Sequence, residues 1–128
     1  MNSYPMERGQ TRHAPPLSLW RREGEWVFVS GHGAVNERGE FVGDDFEAQY
    51  RHTMEALGAT LAQAGCSFAD VVQTRCYVQN PSDLPRHNAL YRDFFAEPFP
   101  ARTTIVNCLP PGLLFEIECI AHRAEEAP

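Results

Sequence analysis

Between residues 46 and 64 the apolar side chains Phe46, Tyr50, Met54, Leu57, Leu61 and Ala64 recur every three or four positions. That spacing lays one apolar stripe along a helix of about five turns. Asp44 and Asp45 precede it as caps, their charge set against the positive end of the helix dipole, and Gly65 supplies the residue that can turn out of the last turn. Residues 25–30 (EWVFVS) and 71–79 (VVQTRCYVQ) have the β-branched and aromatic make-up of strands. Residues 17–22 pair with 25–30 across the turn signal Glu23-Gly24, and 40–42 offer a further short strand. Ser82 or Asp83 caps a second helix that runs to about Phe95. Residues 102–109 and 113–122 read as two last strands around the turn Pro110-Pro111-Gly112, and so short a connection suggests a hairpin.

The order β-β-(β)-α-β-α-β-β predicts an α+β fold, a mixed sheet with two helices packed on one face. Several strands, among them 71–79 and 113–122, carry apolar residues at both parities. Two helices cover one face only, so the other face calls for a second copy, and a homo-oligomer follows. With 128 residues the chain makes one domain, 1–128, with an irregular proline-bearing arm at 1–14 and a polar tail at 124–128.

Composition narrows the function. The formal net charge is −6, and all 11 bases are arginine. Without lysine there is no Schiff-base chemistry, no covalent pyridoxal phosphate and no P-loop lysine. The acidic balance argues against nucleic-acid partners, which need a basic surface. No apolar run approaches the ~18 residues of a membrane helix, and residues 1–9 contain no apolar signal core, so a cytoplasmic protein is expected. Cys66, Cys76, Cys108 and Cys119 form no zinc spacing, and the five histidines form no HxH or HExxH pair. The cysteines read as small hydrophobes, and no metal is expected.

Charge inside apolar strands marks the candidate chemistry. Arg102 and Thr104 share one face of their strand; Glu116 and Glu118 share one face of theirs. A charge withdrawn from water must be paired or hydrogen-bonded. Arg102 is therefore either half of a structural ion pair or a fork for a substrate carboxylate, with a glutamate nearby to handle a proton. Gly31 and Gly33 permit close backbone approach around His32, which alone reads as a loop histidine.

Six segments together resemble the reactive intermediate deaminase family, also called RidA, YjgF or L-PSP. They are VFVSG at 27–31, LAQAGCSFADVV at 61–72, HNALYRDFF at 87–95, FPARTT at 99–104, LP at 109–110 and FEIECIA at 115–121. The resemblance spans about residues 15–123 and rests on order and spacing, above all Arg102 followed by Glu116. It implies a chorismate-mutase-like fold, a homotrimer with sites between subunits, and no cofactor. The implied activity is hydrolysis of imines of 2-keto acids, including those from 2-aminoacrylate released by pyridoxal-phosphate enzymes, to a keto acid and ammonia. Position by position, Arg102 falls on the arginine that grips the carboxylate and Glu116 on the glutamate that orients or activates water. Ser30, Gly31, Asn88 and Thr104 fall on positions lining the cleft. Three of this chain's residues depart from the usual pattern: Thr104 for cysteine, Leu17 for tyrosine and His32 for glutamine. Leu17 and His32 are thus expected to alter the polarity of the substrate pocket. The alternative implied by those departures is a non-catalytic, metabolite-binding or regulatory trimer. Ribonuclease activity, a label carried by some relatives, is disfavoured by the charge.

Overall fold

The computed structural model describes residues 15–124; the arm at 1–14 and residues 125–128 of the expected polar tail lie outside the described residues. The helix α1, Phe46–Gln63, begins as the sequence predicts: the Ala48 amide donates to Asp45 Oδ1 at 2.8 Å. Such a cap is worth about 1 kcal/mol. Phe46, Tyr50, Met54, Leu57 and Leu61 are buried along one face, and Gly65, at φ +80°, turns the chain away behind Ala64.

Among the described residues five strands form one sheet: β1 Trp20–Glu23, β2 Trp26–Gly33, β3 Val71–Val78, β4 Ala101–Val106 and β5 Phe115–His122, in the order β1-β2-β5-β3-β4. The second helix, α2 Leu84–Tyr91, connects β3 to the parallel strand β4. The expected β4–β5 hairpin is not formed. β5 instead runs antiparallel between β2 and β3, and β4 becomes the sheet edge. Asn107 at φ 61° ends β4, and residues 107–114 carry the chain back across β3. The buried Gln49 of α1 holds the far end of that crossing. Its amide donates to the Gly112 carbonyl at 2.9 Å, and its Oε1 accepts from the Leu114 amide at 2.8 Å.

Other boundaries move for local reasons. Residues 40–42 contribute only a bridge between Val35 and Phe41, and the first strand starts at Trp20. α2 stops at Tyr91 instead of Phe95: the amides of Asp93 and Phe94 bond three residues back, to the Leu90 and Tyr91 carbonyls, and tighten the chain out of the α-helical pattern. The resulting turn packs Phe94 against Tyr50 and Phe95 against Phe68, with ring centroids 6.1 and 5.4 Å apart. Cys66, Cys76 and Cys119 are buried, but Cys108 lies exposed just past β4.

Both helices lie on one face of the sheet. There Val27, Val29, Cys76, Val78, Phe115, Ile117 and Cys119 pack against α1 and α2. Tyr50 stacks on Phe115 with centroids 4.2 Å apart. His87 of α2 is fully buried among Tyr50, Tyr91 and Phe115, and neither ring nitrogen has a hydrogen-bonding partner among the described residues. Burial, and secondarily the Arg102 charge, lower its pKa to about 4, so the ring is neutral at pH 7. Among the described residues the opposite face has no covering layer. Trp26, Phe28 and Ile105 are each 40% exposed or more, beside a polar cluster in which the Tyr77 hydroxyl donates to Glu118 at 2.5 Å and Arg75 stands 3.7 Å from the same carboxylate.

Candidate functional site

The expected site residues fall into two groups. The first surrounds Arg102 on the edge strand β4. Arg102 is in register with Thr74 of β3, whose side chain is buried on the helix side, so the guanidinium leaves the sheet toward α2. Its Nη2 donates to Asn88 Oδ1 at 2.7 Å, and its guanidinium carbon lies 4.9 Å from the centre of the Tyr91 ring. Tyr91 is fixed from behind by a 2.8 Å hydrogen bond between its hydroxyl and Thr74 Oγ1. Arg102 makes no ion pair among the described residues, so of the two readings of this charge the structural ion pair does not occur. A neutral amide and an aromatic face orient the fork while most of its donors stay available. The cavity it borders has a volume of about 400 Å³ and is lined by Asn88, Tyr91, Arg92, Phe99, Pro100 and Arg102. Thr104 follows on the same strand face, with its buried hydroxyl lacking a partner among the described residues.

The second group surrounds Glu116 on β5. Glu116 is in register with Tyr77, on the uncovered side of the sheet. Beside it β2 contains a bulge: Val29 pairs with Cys119 and His32 with Ile117, so β2 holds one residue more than β5 over that stretch. A Cβ on Gly31 would stand 2.5 Å from Glu116 Oε1, so only glycine lets the carboxylate lie against this backbone. Ser30 anchors the incoming chain twice. Its hydroxyl donates to the Ser18 carbonyl at 2.6 Å, and its amide donates to the Leu19 carbonyl at 2.9 Å. Leu17, 60% exposed, precedes that anchor.

The bulge also decides His32. Simple alternation from Val29 would turn His32 to the uncovered face with the other pocket residues; the extra residue reverses the parity and sends it inward. The ring is buried, with Nδ1 2.7 Å from the Ser30 carbonyl and Nε2 2.8 Å from Thr60 Oγ1 of α1. Desolvation lowers its pKa despite the hydrogen bond to Ser30. The expectation that His32 changes the pocket's polarity is corrected accordingly: it braces the bulge from below.

Within one protomer the two groups do not meet. β3 separates β4 from β5, so their backbones lie about 10 Å apart. Arg102 and Glu116 also leave opposite faces of the sheet. The sequence reading that set the two on adjoining strands is corrected on this point. It also overlooked Arg92, whose one signal was its position four residues after Asn88, one turn along the same helix face.

No cluster of three or more His, Cys, Asp or Glu side chains suited to a metal exists among the described residues. The thiols are poor nucleophiles where buried: desolvation raises Cys76 to about 11 and Cys119 to about 12. No helix among the described residues is long and apolar enough to cross a membrane.

The sequence profile described as Endoribonuclease L-PSP matches residues 11–123. A Lactococcus lactis protein named as a candidate regulator, AldR, is 40% identical over 97 residues, covering 74% of this chain and 77% of that protein. The 2-iminobutanoate/2-iminopropanoate deaminase of Salmonella typhimurium is 36% identical over 104 residues, 78% of this chain and 81% of that protein. The crystal structure of Escherichia coli TdcF with bound serine superposes with a TM-score of 0.76 at 30% identity, covering 86% of this chain and 90% of that one.

Proposed function

The chain belongs to the L-PSP endoribonuclease family, that of the RidA and YjgF proteins, and from that premise we propose that it hydrolyses 2-imino acids to 2-keto acids and ammonia. The observation that carries this reading is Arg102, a guanidinium held by an amide and an aromatic ring at the wall of a cavity to which the described residues contribute no carboxylate. Such a fork takes a carboxylate in two parallel hydrogen bonds and fixes the carbon next to it.

The site is completed by a second copy. Glu116, Gly31 and Ser30 lie on the uncovered side of the sheet, where exposed Trp26, Phe28 and Ile105 also need a partner, and Leu17 joins them by family resemblance. A cyclic assembly, a homotrimer by family resemblance, brings that face of one copy against the Arg102 cavity of the next. Arg102 then holds the substrate carboxylate. Glu116 of the neighbouring copy accepts a proton from water as the oxygen adds to the imine carbon, and returns it to the nitrogen. Glu116 then takes the hydroxyl proton of the carbinolamine and passes it to the amino nitrogen, so that ammonia leaves as the C–O bond becomes a carbonyl. An enamine such as 2-aminoacrylate enters after protonation at its terminal carbon. Arg102, Glu116 and water suffice for these steps, without cofactor or metal. Imines hydrolyse unaided, so positioning together with one acid–base group, worth ~10²–10⁴-fold, meets the demand. Pyridoxal-phosphate enzymes, which release such imines, are the expected functional partners.

Likeness to a named regulator and Leu17 at a cleft position favour a second reading, a metabolite-binding trimer without turnover. An assay separates the two. A pyridoxal-phosphate dehydratase or an amino-acid oxidase generates imines while semicarbazide traps what remains. Wild type lowers the semicarbazone and Arg102→Ala does not. Equal trapping with and without wild-type protein across small and bulky imines contradicts the deaminase reading.

A further inference from the structure

Two arginines, not one, face the Arg102 cavity. Arg92 sits at the end of α2 and lines the same space. Both guanidiniums are tethered to one residue: Arg102 Nη2 to the side-chain oxygen of Asn88 at 2.7 Å, and Arg92 Nη1 to its backbone oxygen at 3.1 Å. Neither makes an ion pair among the described residues, nor do Arg22 and Arg38, whereas Arg21, Arg51, Arg75, Arg86 and Arg123 each do.

Two acids of the helix layer are engaged elsewhere. Asp93, next to Arg92, is held by Arg51 at 3.1 Å. Glu47 is bound by Arg51 and Arg86 together. In a chain of net charge −6, two uncompensated guanidiniums therefore converge on one cavity. One carboxylate satisfies one fork and leaves the other facing the bound ligand without a partner. Phe99 and Pro100 supply an apolar wall in the same cavity, suited to the methylenes of a short chain.

We propose that the preferred substrates are imino acids carrying a second carboxylate, with Arg102 taking the carboxylate beside the imine carbon and Arg92 the distal one. The inference rests on the deaminase reading above and names the substrate class of that site. Arg92 is the specificity determinant: it touches the substrate remote from the reacting bond. The reaction remains addition of water and loss of ammonia, so the product is a 2-keto dicarboxylic acid.

The test compares imines generated by amino-acid oxidases from acidic and from neutral amino acids. Wild type is expected to prefer the dicarboxylic imine at least tenfold in kcat/KM. Arg92→Gln is expected to lower that ratio at least tenfold, and Arg92→Lys to restore part of it. Turnover of monocarboxylic imines with equal or better efficiency overturns the inference and leaves the deaminase reading standing. If no imine is turned over, the deaminase reading fails. Calorimetry with 2-oxoglutarate then decides the subsite by itself: saturable binding weakened by Arg92→Gln supports it, and absence of binding overturns it. An Arg92→Gln protein that loses its assembly with no change in the ratio assigns Arg92 to contact between copies and also overturns the inference.

Discussion

Replacing His87 by leucine tests the interior behind Arg102. His87 is fully buried between Tyr50 of α1, Tyr91 of its own helix and Phe115 of β5, with Arg102 of β4 as the charge it feels. Its pKa falls from 6.5 to about 4, burial being the larger cause. A histidine whose folded pKa is depressed binds protons more readily when unfolded. Its effect on stability is therefore absent above pH 6.5 and grows as pH falls toward 4. At ~1.4 kcal/mol per pKa unit, the wild type loses about 3 kcal/mol across that window. His87→Leu removes this loss. At pH 7.5 the variant should lie within about 1 kcal/mol of wild type, because the nitrogens it deletes make no hydrogen bond among the described residues. At pH 4.5 it should be more stable than wild type by about 2–3 kcal/mol. Urea unfolding at both pH values, at one protomer concentration, measures the difference. His32 titrates in both proteins and cancels. An unchanged difference between pH 7.5 and pH 4.5 refutes the reasoning.

Two further substitutions address the site. Arg102→Lys keeps the charge but loses the fork, so kcat/KM for imines should fall roughly 10²-fold or more, like Arg102→Ala; wild-type kinetics in either variant removes Arg102 from the mechanism. Gly31→Ala sets a Cβ 2.5 Å from Glu116 Oε1, which a flexible carboxylate relieves by moving. Turnover should drop about tenfold or more with the melting temperature little changed, and undiminished turnover would show that the seat of Glu116 does not matter.

What the sequence makes legible follows the range of the interactions concerned. α1, with its Asp45 cap and Gly65 exit, depends on contacts a few residues apart, and its stripe predicts it well. Arg102 could be singled out because a charge in an apolar strand demands a partner or a ligand. The place of β5 could not, since a short proline turn suits a hairpin, and only long-range contacts such as Gln49 with residues 112–114 carry the chain past β3. One inserted residue in β2 sent His32 inward; Gly31 within the strand is a bulge signal, but it does not announce that the parity of His32 is reversed. Arg92 looked like an ordinary helix-surface arginine until its cavity neighbours were placed around it.

The claim that one site is built from opposite sheet faces of two copies is tested most directly by complementation. Arg102→Ala and Glu116→Gln chains, each expected to be inactive, are unfolded together in equal amounts, refolded and assayed for imine hydrolysis. In a cyclic assembly up to about one site in four then pairs an intact Arg102 with an intact Glu116, and activity returns to about a quarter of wild type. Activity no higher than that of the separate variants, in correctly reassembled protein, would contradict a site shared between copies.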